Sequence, residues 1–170
     1  MSKIVLYSGL KTDLLTVSFT KEDGSTMTVK SVGLWRNYLK REAEGKEDPK
    51  RLPAVFIEFL PATYTDKGNA AKSQNSSLGV KLHCVFESYK EDDLDLLRFE
   101  QAVWQKVHKK QYGNFSQFLR RGDNQDFDHT NIDDLTQEYI TNGLDELTNT
   151  MVDATATPVI NTDVIDPDEQ

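Results

Sequence analysis

Cysteine is almost missing from this chain: Cys84 is the only one in 170 residues. One thiol excludes an internal disulfide and a cysteine-built zinc site, and it suits a reducing cytoplasm. Long apolar runs are absent too. No stretch approaches the roughly 20 residues of a membrane helix, and the mean hydropathy is −0.60. The first residues lack a basic start followed by an apolar core and a small-residue cleavage site, so no secretory signal is expected. Histidine is scarce: His83, His108 and His129 are the three present. None stands three or four residues from another His or a Cys, so the ligand spacing of a zinc site does not occur.

The common reactive signatures are missing as well. Neither Gly-x-x-x-x-Gly-Lys nor Gly-x-Gly-x-x-Gly occurs, which removes the usual phosphate cradles. There is no Gly-x-Ser-x-Gly, and Cys84 falls on the apolar side of an alternating segment, where a thiol is a small core residue. The run Asp123-Asn124-Gln125-Asp126-Phe127-Asp128 has the oxygen ligands that open a calcium loop. It lacks the Gly and the closing Glu at their required positions. Carboxylate pairs stand at Asp92-Asp93 and Asp133-Asp134, but acid–base work needs one partner buried with a raised pKa. No catalytic, cofactor-binding or metal-ligating residue is therefore expected.

Basic excess is also lacking. The net charge of −8 is concentrated at the end: residues 144–170 hold seven acidic groups and no Lys or Arg. Residues 1–143 carry all 20 basic groups against 21 acidic ones. Tight nucleic-acid binding draws on Lys and Arg to neutralise phosphates, and a nearly neutral body argues against it. Lys109-Lys110 and Arg120-Arg121 are short clusters without interleaved aromatics, which reads as solvated faces or subunit contacts.

Among the segments present, residues 3–17 place Ile4, Tyr7, Leu10, Leu14 and Val17 at helical spacing, predicting an amphipathic helix in spite of Gly9. β-Branched residues flank Asp23-Gly24 in 18–30, the mark of a hairpin. Residues 40–51 are mostly charged, with Gly45 and Pro49, and read as a solvated loop or short helix. Ala54–Leu60 is an apolar strand, and 63–75 a polar connection. Leu78, Val80, Leu82, Cys84 and Phe86 alternate with Gly79, Lys81, His83, Val85 and Glu87, predicting a strand with one face on a core. That alternation leaves His83 on the polar face.

From Asp92 to Gln111 the period becomes helical, with Leu96, Phe99, Val103 and Val107 on one face and Leu97 and Trp104 beside them. Asp92, Asp93 and Asp95 suit the first turn and His108, Lys109 and Lys110 the last, and Gly113-Asn114 would end it. The helix face is expected to pack on Leu82, Cys84 and Phe86. Phe115–Arg121 and Asp133–Thr141 read as shorter strands joined by a Gly-Asp-Asn-rich loop. The fold expected is α+β: a mixed, mainly antiparallel sheet against a long helix and an N-terminal helix. This domain spans 1–143, and 144–170 forms an extended acidic arm. The arm has Pro158 and Pro167, and its scattered Val152, Val159, Ile160, Val164 and Ile165 suit docking on a partner rich in Lys and Arg.

The order of these features resembles prophage tail-completion or tail-terminator proteins. An N-terminal helix with Ile4-Val5-Leu6-Tyr7 leads, followed by Val32-Gly33-Leu34-Trp35-Arg36-Asn37 and the Pro53-Ala54-Val55-Phe56-Ile57-Glu58-Phe59 strand. A strand ending near His83-Cys84-Val85 and the helix from Leu96 to His108 come next. Phe115 to Arg120, Asp128-His129 and Tyr139-Ile140-Thr141 complete the set. The charged 40–51 segment and the long acidic tail depart from the pattern. The resemblance implies a non-enzymatic virion protein, made in the host cytoplasm, that forms a homo-oligomeric ring at the head-proximal end of the tail. The ring would join tail tube to neck, and DNA would pass through it without sequence-specific binding. It implies no cofactor and no membrane, and favours a hexamer. A head-to-tail connector of the neck, with a dodecamer possible, and a small prophage-encoded enzyme or inhibitor are the alternatives.

Overall fold

A computed structural model describes residues 3–36, 40–41, 44–45, 51–66, 73–87, 94–126 and 132–146. The elements run α1 (Lys3–Leu14), β1 (Ser18–Thr20), β2 (Thr26–Thr28), β3 (Ser31–Leu34), β4 (Ala54–Asp66), β5 (Ser73–Glu87), α2 (Leu94–Val107), β6 (Leu119–Asp126) and β7 (Ile132–Glu146). β1 and β2 form a hairpin, and the other five strands form one sheet in the order β3-β4-β5-β7-β6. β3 lies parallel to β4, and all remaining neighbours are antiparallel. The fold is thus α+β with a mixed, mainly antiparallel sheet, as the residue patterns predict.

The core lies between one face of this sheet and the two helices. Leu78, Val80, Leu82, Cys84 and Phe86 of β5 are all buried, and so are Leu96, Phe99, Val103 and Val107 of α2. Both sets belong to one apolar cluster, so the periods of 2 and 3.6 identified facing surfaces. The β1–β2 hairpin closes one end. Phe19 stacks on Phe99 with ring centroids 5.4 Å apart and meets Phe86 edge-on at 6.1 Å. Its turn uses Gly24 at φ +82°, a conformation that costs glycine little. The Ser25 hydroxyl and backbone N–H both donate to Oδ1 of Asp23, which holds that carboxyl down at about 2.

α1 differs from its predicted face. Leu6, Leu10 and Leu14 are the buried stripe, whereas Ile4 is 75% exposed and Tyr7 only partly buried. The helix also stops at Leu14. Thr16 N–H and its hydroxyl both donate to the Asp13 carbonyl, and Val17 N–H to that of Leu14, so the last turn tightens and Val17 enters the core from the following loop. Gly9 has a packing role. A Cβ at this position would stand 2.8 Å from Cδ1 of Tyr112, a buried ring. Gly9→Ala gains roughly 1 kcal/mol of helix propensity but forces apart a packed contact, a change that costs about 1–3 kcal/mol. The expected result is a net loss in the denaturant midpoint, and a gain would show that Tyr112 gives way freely.

Elsewhere the strands are longer than the patterns indicate. Thr63–Asp66, predicted as connection, pair with Gln74–Ser77 in the β4–β5 ladder, and Ser73, Gln74 and Asn75 pair with Glu146, Asp145 and Leu144 of β7, because polar residues sit opposite one another there. Lys109, at φ +62°, ends the long helix ahead of Gly113, and its N–H donates to the Phe118 carbonyl. Phe115 makes only an isolated bridge with Gly143, and β6 begins at Leu119. Gly122, Asp123 and Asn124, predicted as loop, lie inside β6. The division at 143/144 falls within β7, whose Leu144, Asp145 and Glu146 pair with Asn75, Gln74 and Ser73. Most of the charged 40–51 segment and all of 147–170 lie outside the described residues.

Candidate functional site

The sheet face turned away from the helices carries a cluster of ionisable groups. Register places Phe56 beside His83 and His83 beside Thr136, with Glu58, Lys81 and Glu138 in the next row. The chain leaving β3 brings Trp35 over this surface, and Trp35 stacks on His83 with centroids 3.8 Å apart and planes 7° from parallel. Trp35 also meets Phe56 edge-on at 5.8 Å. His83 is consequently buried, contrary to its predicted place on a solvated face: alternation gives the face of the sheet and says nothing of what lies over it.

Both ring nitrogens of His83 are engaged. Nδ1 lies 2.8 Å from Oδ2 of Asp134, and Nε2 lies 3.0 Å from Oε2 of Glu58. A carboxylate only accepts, so two ionised acids satisfy this ring when each nitrogen carries a proton and donates it. Asp134 is itself buried, and its Oδ1 has no hydrogen-bond partner among the described residues. Beside the cluster, Nζ of Lys81 is 3.0 Å from Oε1 of Glu138. Stacking and hydrogen bonds thus tie β4, β5, β7 and the segment after β3 together at one point. Both His83 nitrogens are bonded to carboxylates on the neighbouring strands, so the arrangement works as a clamp across the sheet.

A second polar network joins the sheet to α2. Gln137, fully buried, donates through Nε2 to the Glu100 carbonyl at 2.7 Å and to its Oε1 at 3.1 Å. The Tyr139 hydroxyl donates to Oε1 of Gln137 at 2.5 Å, and Arg120 bridges Glu100 and Asp123. Burial pushes the phenols of Tyr139 and Tyr112 well above their ordinary value. The folded chain therefore keeps these protons where the unfolded chain loses them, near pH 10. Their contribution is present in full below that pH and fades as pH rises above it. The melting temperature is expected to fall above about pH 10, and less steeply in Tyr139→Phe. Identical alkaline profiles for the two proteins would show that Tyr139 ionises without affecting the fold.

The remaining positions singled out by sequence are dispersed. His108 follows α2, stacks on Trp104 at 5.5 Å and accepts the Arg120 N–H on Nδ1 at 3.4 Å. Cys84 is fully buried, and burial foremost pushes its thiol up, as in a core residue. Asp123–Asp126 lie along β6, and Lys110 pairs with Asp13. Asp92, Asp93, Asp128 and His129 lie outside the described residues. Among the described residues no group of three or more His, Cys, Asp or Glu is placed to hold a metal ion, and no helix is long and apolar enough to cross a membrane. The sequence signal for the clamp was the Asp133-Asp134 pair together with the polar side of β5.

Beyond the core the three central strands continue as a ribbon formed by 62–66, 73–78 and 141–146. Thr63, Tyr64, Thr65 and Asp66 are exposed, and among the described residues nothing pairs with the free edge of β4 past Ile57. Pro61, which has no N–H, sits at the bulge between Phe59 and Ala62. A cleft of about 550 Å³ lies where the ribbon meets residues 111–116, lined by hydroxyl and amide side chains such as Thr63, Asn75, Ser77 and Asn142. No protein-family model matches this sequence, and no curated protein is significantly similar to it.

Proposed function

We propose that this chain is a structural subunit of a phage particle, forming a ring at the head-proximal end of the tail that joins tail tube to neck. The observation that carries the reading is the projecting ribbon. A sheet edge that no described residue pairs with over Phe59–Asp66 is a template for pairing with another chain, and a ring of identical subunits covers such edges by closing on itself. The segment order that resembles tail-completion proteins supports it as well. So does the closed geometry of His83, whose nitrogens are used up within the fold. A nearly neutral body would line a DNA passage without holding phosphates.

The test is the oligomeric state together with placement in the particle. Light scattering and electron microscopy of the purified protein are expected to give closed rings, sixfold, that cap isolated tail tubes. A twelvefold ring at the portal side would assign it to the neck connector instead. A protein that stays monomeric and is absent from intact particles would overturn the structural reading.

A further inference from the structure

We propose that the His83 clamp is a proton-operated latch on Trp35, closed while the imidazole carries two protons and opened on its Glu58 side when the ring gives one up. Nδ1 lies 2.8 Å from Oδ2 of Asp134 on β7, and Nε2 lies 3.0 Å from Oε2 of Glu58 on β4. Trp35 covers the ring between them, with centroids 3.8 Å apart. Carboxylate oxygens only accept, so both contacts are hydrogen bonds only when both nitrogens donate. With a single proton on the ring, one nitrogen turns a lone pair towards a carboxylate oxygen. That contact then repels.

Burial decides which contact gives way. The Asp134 side chain is 5% exposed, and its Oδ1 has no hydrogen-bond partner among the described residues. Losing the bond to Nδ1 as well would leave this carboxylate desolvated and unsatisfied. The Glu58 side chain is 36% exposed and can turn to water. The remaining proton therefore stays on Nδ1, and Glu58 lets go. Lys81 on β5, the register partner of Glu58, offers the released carboxylate a cation, although it already pairs with Glu138 of β7 at 3.0 Å. No other described neighbour takes over the role of Glu58. Phe56 and Thr136, which flank His83 in register on β4 and β7, are uncharged. Asp126 of β6, opposite Asp134 in register, is a further acid, and Arg36, next to Trp35, is exposed.

Trp35 is where the release is felt. Its backbone N–H donates to the Ile57 carbonyl at 2.8 Å, so the segment leaving β3 stays on β4 in either state. The indole itself rests on the face of His83, with planes 7° apart, and on the edge of Phe56 at 5.8 Å. A ring fixed at both nitrogens keeps its plane. Fixed at Nδ1 alone it can tilt, and the parallel stack is lost with the tilt. The indole then swings out while the ladders of the sheet remain paired. The Glu58 contact is thus present at low pH and lost as pH rises, whether or not the chain assembles into a ring.

The experiment is acrylamide quenching of Trp35 in the full chain carrying Trp104→Phe, which leaves one tryptophan. It runs from about pH 5 to about pH 9, spanning ordinary imidazole titration and staying below that of tyrosine. Quenching is expected to be weak at the acid end and to rise through a single one-proton transition, with an unchanged far-ultraviolet circular dichroism spectrum. Glu58→Gln in the same background is the discriminating variant. An amide accepts from a protonated Nε2 through its oxygen and donates to a bare one through its nitrogen, so it holds the ring in both states. Quenching in Glu58→Gln should stay low throughout. His83→Gln should show no transition either, which separates His83 from His108 and His129. A flat profile in the Trp104→Phe protein, a transition that survives Glu58→Gln, or quenching that falls as pH rises would refute the latch.

Discussion

Replacing His83 with alanine is expected to destabilise the protein by about 1–3 kcal/mol, the usual cost of leaving a buried hydrogen-bonding group without its partner. Oδ2 of Asp134 bonds His83 and Oδ1 has no partner among the described residues, so the variant would leave this buried carboxyl with neither oxygen satisfied. Trp35 would also lose the ring it stacks on. Since desolvating Asp134 is the larger part of the penalty, His83→Leu combined with Asp134→Leu should recover much of the loss. Denaturant midpoints give the energies. Trp35 fluorescence, read in a Trp104→Phe background, reports the stacking directly. A midpoint for His83→Ala unchanged within about 0.5 kcal/mol, typical of surface substitutions, would show that Asp134 is solvated and that no clamp exists.

That clamp also marks where sequence reasoning stops. The buried faces of β5 and α2 were legible because apolar and polar residues separate cleanly at periods of 2 and 3.6. His83 obeys the same alternation, but its burial depends on Trp35, which stands 48 positions earlier, and on Asp134, 51 positions later. No local pattern carries that information. In α1, Ile4, Val5, Leu6, Tyr7, Leu10 and Leu14 are apolar on nearly every side, so spacing alone did not choose between the Ile4 and Leu6 stripes. Gly9 looked like a weakness in the helix because the ring it accommodates belongs to Tyr112. The ribbon was hidden for a different reason. Thr, Ser and Asn in 63–66 and 73–77 have the composition of a loop, and only the pairing of β4 with β5 and of β5 with β7 makes them strand.

The second large effect tests the core and, through it, the orientation of the sheet. Val103→Asp is expected to cost several kcal/mol, enough to consume much of a small domain's total stability of about 5–15 kcal/mol. Val103 is fully buried on the α2 face that carries Phe99 and Val107, in the cluster containing Leu82 and Cys84. A carboxylate there either stays charged without a partner or takes up a proton, and both reduce the free energy of folding. Leu97→Asp, six positions earlier on the same helix, replaces a side chain that is 50% exposed and should change stability by no more than about 0.5 kcal/mol. The contrast matters more than either value, because a helix rotated from its assigned face would reverse the pair. Val103→Asp melting like the parent while Leu97→Asp unfolds would place α2's other side on the sheet. The cluster that joins Val103 and Val107 to Leu82 and Cys84 would then not be the core of this protein.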